Sequence, residues 1–231
     1  MCDFAILPQL RSGTISAATS LLQSRELARL TDSLATPADR RHARRYCPIA
    51  RQTQSLAARV LLRALLEAAT GVPGRIWRIQ KCADGRTAGW ANGMVQGLPV
   101  SVSHSQNRVA CAVSTNRAIG VDLEYCRPDR DVLAIAGYAF ADDEIAAVRE
   151  GGASVFYRIW TMREAIAKAS GAGMAAMLGR RIFGSKADAE KLEAKVDGQR
   201  YLLEHRNLSD GYSLSLAVGV DGEAGLATAT V

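Results

Sequence analysis

Residues 119–124 read Ile-Gly-Val-Asp-Leu-Glu, and the architecture of the chain can be worked out from this segment. Its apolar residues Val121 and Leu123 occupy alternate positions, which is the period-two pattern of a β-strand with one face in a core. The two acidic residues, Asp122 and Glu124, therefore project together from the opposite face. We predict a strand that carries two neighbouring carboxylates.

A second segment, residues 160–168, reads Trp-Thr-Met-Arg-Glu-Ala-Ile-Ala-Lys and is typical of a helix. Glu164 and Lys168 are four residues apart and share one helical face. If this helix packs on the strand, three carboxylates converge beside Lys168 and Arg163: those of Asp122, Glu124 and Glu164. Because Mg²⁺ prefers a few carboxylate oxygens together with water and phosphate oxygens, the arrangement suits Mg²⁺ carrying a diphosphate.

Each motif also has an ordinary structural explanation when it is taken singly. A strand with one polar face is what a half-exposed antiparallel sheet shows. A Glu–Lys pair at this spacing is common on helix surfaces and contributes only about 0.2–0.5 kcal/mol. Ser103-His104-Ser105 favours a functional site, because a hydroxyl and an imidazole at a strand end can bind phosphate oxygens. Adjacent strand residues point to opposite faces, so Ser103 and His104 do not form a convincing nucleophile pair.

The composition is that of a soluble globular protein, with 48% hydrophobic and 23% charged residues in 231. A formal charge of +6 favours an acidic partner or a phosphate-rich ligand. Neither a P-loop nor a dinucleotide-binding fingerprint is present, and we predict no nucleic-acid partner.

The five cysteines are scattered and form no Cys-x-x-Cys pair, which is typical of a reducing cytoplasm. The chain lacks an uninterrupted run of about 18 apolar residues, and its start lacks the features of an export signal. We therefore expect a cytoplasmic protein without a membrane partner.

Hydrophobic periodicity gives a coarse map of the N-terminal part. A strand is expected through about Leu10, and helical periodicity extends from Ala17 to Leu30. Thr36-Pro37-Ala38-Asp39 resembles a helix start and leads into a cationic run, residues 40–45, whose ordinary interpretation is a solvated face. Residues 51–70 form the clearest amphipathic helix, and Gly71 supplies its stop signal.

The rest of the chain alternates strands and helices. Val100 to Val113 predicts a hairpin with its turn in the polar segment 103–107. Helices are expected over 132–138, from Ala141 to about Arg149, and from Ser154 to Ala169, with Gly151-Gly152 between the last two. Strands are predicted at 201–204 and 212–218. The pattern indicates an α+β fold of two similar α/β halves, residues 1–115 and 116–231, with the metal site in the second.

At these motifs the chain resembles the 4′-phosphopantetheinyl transferases, in particular the long, monomeric, surfactin-synthetase-activating type. The resemblance rests on three ordered segments: 98–105, 119–124, and 156–165 followed by Lys168 and Gly171 to Met174. Weaker likeness extends over 51–66 and 212–217. The resemblance implies two halves related by a pseudo-twofold axis, with coenzyme A as co-substrate in the cleft between them.

The resemblance also implies roles for individual residues. Mg²⁺ would be held by Asp122, Glu124 and Glu164. Phosphate contacts would come from Lys168, Arg163, Ser103 and His104, and the 3′-phosphate would meet Arg51 and Arg59. Gly85-Arg86-Thr87 would lie beside the adenine, with Arg86 as a coenzyme ligand. Three positions depart from the family pattern: Arg163 replaces Lys, Thr87 replaces Pro, and Gln106 stands where Gly is common.

The implied reaction moves the phosphopantetheine arm of coenzyme A onto a serine of an acidic acyl, peptidyl or aryl carrier protein, and 3′,5′-ADP leaves. Glu164 and Lys168 would be the catalytic residues. The general base stays open between Glu164, a metal-bound water and, second in rank, Glu144. Two alternatives also stay open, a non-catalytic coenzyme A-binding or nucleotide-binding module and a Mg²⁺-dependent diphosphate hydrolase.

Overall fold

A computed structural model describes residues 15–183 and 191–220 of the chain. The strand expected through Leu10 lies outside these residues. Elements of the first sheet and its helices are β1 (Ile15–Leu21), α1 (Arg25–Leu34), α2 (Pro37–Ala43), α3 (Ile49–Thr70), β2 (Arg78–Lys81), β3 (Thr87–Trp90), β4 (Leu98–Ser105) and β5 (Arg108–Ser114). The second group comprises β6 (Ile119–Tyr125), α4 (Val132–Ala139), α5 (Asp142–Ser170), β7 (Lys191–Val196), β8 (Gln199–Leu208) and β9 (Tyr212–Gly219). Short 3₁₀ turns occupy Gly74–Ile76 and Met174–Met177.

The two sheets share one topology. The first has the order β1-β5-β4-β3-β2 and the second β6-β9-β8-β7, and the described strand pairs are antiparallel. In each group the first strand pairs with the last, and a long helix precedes the remaining strands. This repeat confirms the predicted α+β fold with two similar halves. The sheets divide between Ser114 and Ile119, and the boundary at residue 115 stays a prediction.

Several predicted elements are confirmed with small shifts. Helix α3 ends at Gly71, whose φ of 73° is the left-handed conformation that a helix stop requires. Strands β4 and β5 form the expected hairpin, with Gln106 and Asn107 in the turn. The break expected at Gly151-Gly152 appears as a kink inside α5, because Gly152 has a φ of 65°.

The helix predicted from Ala17 to Leu30 is wrong at its start. Residues 17–21 belong to β1 and pair with β5, and α1 begins only at Arg25. Ser24 caps this helix by accepting a hydrogen bond from Leu27 N. Pairing with β5 overrides the local periodicity, because Ala17 and Ala18 bury their side chains on opposite faces of the sheet, in two different apolar clusters.

Three apolar clusters hold the elements together. One lies between α3 and the first sheet, one between α5 and the second sheet, and one where the two sheets meet. At the meeting of the sheets, Ala110 and Ala112 of β5 are buried in the same cluster as Val121 and Leu123 of β6. Within the described ranges, no helix is both long and apolar enough to cross a membrane.

Candidate active site

A row of three serines on β4 joins the two sheets. We call this row, Ser101, Ser103 and Ser105, the serine seam. Strand β6 lies at an edge of its sheet, so some of its N–H groups have no partner strand. Ser101 Oγ accepts a hydrogen bond from Val121 N at 3.0 Å, and Ser105 Oγ accepts one from Tyr125 N at 3.0 Å. The seam therefore fixes β4 against the polar edge of β6.

The same seam contacts both carboxylates of β6. Ser103 Oγ donates to Asp122 Oδ1 at 2.8 Å, and Ser105 Oγ donates to Glu124 Oε2 at 3.1 Å. Asp122 and Glu124 project from one face of the strand, as the alternation in the sequence predicts. The structure thus gives Ser103 a partner that the sequence analysis did not name, the carboxylate of Asp122, and its contact with a phosphate stays a prediction.

Helix α5 packs on β6 at very short range, which brings Lys168 to the acidic strand. This approach depends on Gly120, because a Cβ there would lie 1.9 Å from the carbonyl oxygen of Ala165. Lys168 Nζ donates to Asp122 Oδ1 at 2.7 Å and to Val121 O at 3.2 Å. The predicted packing of the acidic strand against the helix that carries Glu164 and Lys168 is confirmed.

The three carboxylates face a common space. Burial raises the pKa of Glu164, and the negative charges of Asp122 and Glu124 raise it further. Burial also raises the pKa of Glu124, and Asp122 adds to this shift. Carboxylates that repel one another in this way favour a bound cation.

A hard divalent cation fits the donor set. Asp122 Oδ2 is buried and accepts no hydrogen bond from residues 15–183 and 191–220. Such an oxygen is a ready ligand for Mg²⁺, which takes carboxylate oxygens. As the side chains lie, no three His, Cys, Asp or Glu residues in these ranges are grouped closely enough to enclose a metal ion. Lys168 contacts Asp122 Oδ1, the oxygen that also accepts the hydroxyl of Ser103.

Beside the acidic cluster lies a cationic cavity of about 530 Å³. Its basic wall residues are His42, Arg51, Arg59, Lys81 and His104, and Tyr46 and Thr87 also line it. Arg51 Nη1 contacts both ring nitrogens of His104, Nε2 more closely than Nδ1, and the Arg51 guanidinium is 5.5 Å from the centre of the Tyr46 ring. The cavity can therefore bind an anionic ligand with an aromatic or planar group.

His104 connects the cavity with the acidic cluster. It lines the cavity, and it follows Ser103, which contacts Asp122. Burial, and next the charge of Arg51, lower the pKa of His104 to about 4, and Lys168 acts in the same direction. The imidazole is thus neutral near neutral pH, and an anion bound beside it would favour its protonated form.

Asp39 is a site residue that the sequence interpretation missed. It is completely buried and accepts hydrogen bonds from Arg59 Nε at 2.7 Å and Arg63 Nε at 2.8 Å. Burial alone would raise its pKa, but the hydrogen bonds from Arg63 and Arg59 hold the pKa of Asp39 below its usual range. Asp39 therefore fixes Arg59 at the cavity wall. A signal existed in the sequence, since Arg59 and Arg63 are four residues apart on one helix face.

Arg86 lies outside the cavity wall. Its guanidinium pairs with Asp84 at 2.6 Å in the turn between β2 and β3. Gly171, at the end of α5, packs against this turn, since a Cβ there would lie 2.7 Å from Asp84 O. Of the predicted Gly85-Arg86-Thr87 segment, Thr87 is the residue that lines the cavity.

The phosphate contact predicted for Arg163 needs correction. Arg163 is completely buried on the far side of α5, where it forms an ion pair with Glu144. Its Nη1 also donates to Met177 O at 2.5 Å, and its guanidinium lies 4.9 Å from the centre of the Phe140 ring. One step along a helix turns a side chain by about 100°, so the neighbour of Glu164 faces away from the cluster.

Glu144 is excluded as a general base by the same ion pair. It is completely buried, and its Oε2 accepts hydrogen bonds from Arg163 and from Ala141 N. Phe183 N donates to its other oxygen at 3.1 Å. The carboxylate therefore caps the start of α5 and is shielded from solvent, so it cannot accept a proton from a substrate.

Comparison with known proteins finds similarity to one family, the 4′-phosphopantetheinyl transferases. Residues 118–217 match the family model of the 4′-phosphopantetheinyl transferase superfamily. The chain is 37% identical over 124 residues to the 4′-phosphopantetheinyl transferase HetI of Nostoc sp. (strain PCC 7120), covering 52% of each chain. It is 33% identical over 81 residues to the 4′-phosphopantetheinyl transferase AcpT of Salmonella typhi, covering 32% of this chain and 42% of AcpT. The chain thus spans about half the length of these curated relatives or less. The matched segment contains the β6 carboxylates, Glu164 and Lys168.

Proposed function

We propose that this protein transfers the 4′-phosphopantetheine group of coenzyme A to a serine of a carrier protein. The observation that carries the proposal is the meeting of an acidic cluster, Lys168 and a cationic cavity at one place. Similarity to transferases named for this activity supports it. Within that family, the motifs favour the long, surfactin-synthetase-activating type.

Coenzyme A matches the charges of the cavity. We propose that Arg51 and Arg59 bind its 3′-phosphate and that His104 lies at the phosphate end of the nucleotide. Arg51 is a cavity residue with exposed surface, and Arg59 is held in place by Asp39. Two guanidinium groups, one of them held by Asp39, can bind one phosphate by charge-assisted hydrogen bonds.

Mg²⁺ would be held by Asp122, Glu124 and Glu164 in this proposal. The buried, unpartnered oxygen of Asp122 and the hard donor set support the assignment. When bound there, the ion would neutralise charge on the diphosphate of coenzyme A.

The chain's own residues supply binding and proton transfer. The carrier serine oxygen attacks the β-phosphorus of coenzyme A, the bond to the bridging oxygen breaks, and 3′,5′-ADP leaves with the bonding electrons. In this proposal Lys168 stabilises negative charge on the phosphates, and its position beside Asp122 supports that role. We assign the general base to Glu164, which lies one turn before Lys168 on the same helix face and takes the serine proton.

The partner in this proposal is an acidic carrier protein. The net charge of +6 favours association with acidic domains through long-range attraction. The cytoplasmic location and the monomeric state stay predictions.

The central test is the substitution Glu164→Gln. The variant should lose about 10²- to 10⁴-fold in rate, because it lacks the carboxylate that accepts the proton and that is also one of the proposed Mg²⁺ ligands. The assay measures the mass gain of an apo carrier protein incubated with coenzyme A and Mg²⁺. Glu150→Gln is the matched control, since Glu150 is an exposed glutamate on the same helix, before the kink. Full activity of a folded Glu164→Gln protein would contradict the proposal.

The same assay separates the two alternatives. A coenzyme A-binding module would bind the ligand and leave the carrier mass unchanged. A diphosphate hydrolase would release 3′,5′-ADP from coenzyme A without a carrier. A transferase releases it only with an apo carrier present, in equal amount to the carrier modified.

A further inference from the structure

Ser105 has a role in the acidic cluster that the sequence motifs do not assign. Its hydroxyl accepts a hydrogen bond from Tyr125 N at 3.0 Å and donates one to Glu124 Oε2 at 3.1 Å. A serine hydroxyl has a single proton. Because the oxygen is engaged by the backbone of β6, the proton is free to point at the carboxylate that precedes Tyr125 in that strand.

The two acids of β6 are held in parallel ways. Asp122 receives the seam hydroxyl of Ser103 on Oδ1, and its Oδ2 has no hydrogen-bond partner in the described ranges. Glu124 receives the hydroxyl of Ser105 on Oε2. In both cases the seam binds one carboxylate oxygen, which leaves the second as a candidate ligand.

We propose that Ser105 is a positioning residue that restricts the Glu124 carboxylate to the face of β6 that it shares with Asp122, so that Glu124 needs less reorientation when a divalent cation binds. The inference rests on the proposed function, because it concerns the same acidic cluster. A glutamate side chain has several rotamers and loses conformational entropy when it binds a metal. A hydrogen bond from a hydroxyl that is itself anchored to the neighbouring residue restricts those rotamers before the ion arrives.

The seam provides a matched control for this role. Ser101 also accepts a hydrogen bond from the β6 backbone, from Val121 N at 3.0 Å. Unlike Ser105, it donates to neither carboxylate of β6 among the hydrogen bonds of residues 15–183 and 191–220. Replacing Ser101 removes one bond of the seam, whereas replacing Ser105 removes such a bond and the contact with Glu124.

The experiment measures the binding of Mn²⁺, as a probe for Mg²⁺, by electron paramagnetic resonance with 3′,5′-ADP present. Ser105→Ala should weaken Mn²⁺ binding by about tenfold or more, the usual effect of losing a group that orients a metal ligand. Ser101→Ala should stay within about twofold of the parent, and Ser105→Thr, which retains the hydroxyl, should restore most of the affinity. In the carrier assay, Ser105→Ala should need more Mg²⁺ and approach the parent rate at saturation.

Three results would overturn the inference. Equal Mn²⁺ affinity in Ser105→Ala and the parent would show that the contact with Glu124 does not matter. Equal weakening in Ser101→Ala and Ser105→Ala would show that the seam acts only through the fold. A parent protein that binds no Mn²⁺ would remove the metal site itself. If Mn²⁺ binding responds as expected and no carrier is modified, the positioning role stands and the proposed function fails.

Discussion

The two halves of the molecule repeat one strand order, with five strands and four strands, and they bring opposite charges to the candidate site. In the first half, α3 contributes Arg51 and Arg59 to the cavity. In the second half, β6 contributes the carboxylates Asp122 and Glu124, next to Lys168. The scaffold repeats, but these charged groups are not at equivalent places, because α3 corresponds to α5 and β6 corresponds to β1.

A buried ion pair occurs at corresponding places in both halves. Asp39 is the third residue of α2 and pairs with Arg59 and Arg63 of α3, and Glu144 is the third residue of α5 and pairs with Arg163 beyond the kink. The Arg59 side chain is 15% exposed and reaches the cavity, whereas that of Arg163 is 0% exposed. The ion pair of the first half thus holds an arginine at a cavity wall, whereas that of the second half is enclosed in the protein.

The largest expected effect comes from breaking the pair in the second half. Arg163→Met should destabilise the protein by about 3–5 kcal/mol, because it leaves the Glu144 carboxylate buried without its cation. Arg59→Met should lower the free energy of unfolding clearly less, since Asp39 retains its ion pair with Arg63. Urea unfolding at equilibrium measures both. Equal losses would mean that the two pairs are equivalent.

The second prediction concerns how a buried histidine of the second half, His205, makes the free energy of unfolding depend on pH. Burial lowers the pKa of His205 to about 4. Between this pKa and the usual histidine value of about 6.5, the unfolded chain therefore binds more protons than the folded one, so the free energy of unfolding falls as the pH falls through this window. From about pH 7 to about pH 5 the loss due to His205 should be about 1–2 kcal/mol.

His205→Gln removes this contribution and should flatten the pH dependence of the urea midpoint. Ser215 and Asn207 contact both ring nitrogens, at 3.1 Å each, so the variant will be less stable near neutral pH. The informative quantity is the difference between the two proteins, which should shrink on acidification. A constant difference would show that His205 titrates normally in the fold.

The smallest effect is expected in the cavity of the first half. Arg51→Met should raise the KM for coenzyme A by roughly three- to tenfold with little change in kcat, because one exposed phosphate contact is lost. It should also raise the pKa of His104, since the charge of Arg51 helps to lower it. A ¹⁵N-NMR titration follows the imidazole, and His205 serves as its internal reference. An unchanged KM together with an unchanged His104 pKa would show that Arg51 contributes neither to coenzyme A binding nor to the charge environment of His104.

Local patterns were enough to predict much of the fold. The alternation in 119–124 gave the acidic strand, and the apolar stripe of 51–70 with its glycine stop gave α3. These elements follow from hydrophobic periodicity and from helix stop signals, and both depend on residues that are close together in the sequence. The strand β1 was missed because its stability comes from β5, about 90 residues away in sequence.

By itself, the sequence determined which residue types are available, their faces on each strand and helix, and the order of the motifs. Only the tertiary structure decided which of them meet. In the folded protein Arg163 faces away from the acidic cluster and is buried in an ion pair with Glu144. Asp39 binds Arg59, which is 20 residues away in the sequence. Ser105 donates a hydrogen bond to Glu124. Such contacts depend on how two sheets cross and how closely a helix can approach, and these distances are set by packing among residues far apart in the chain.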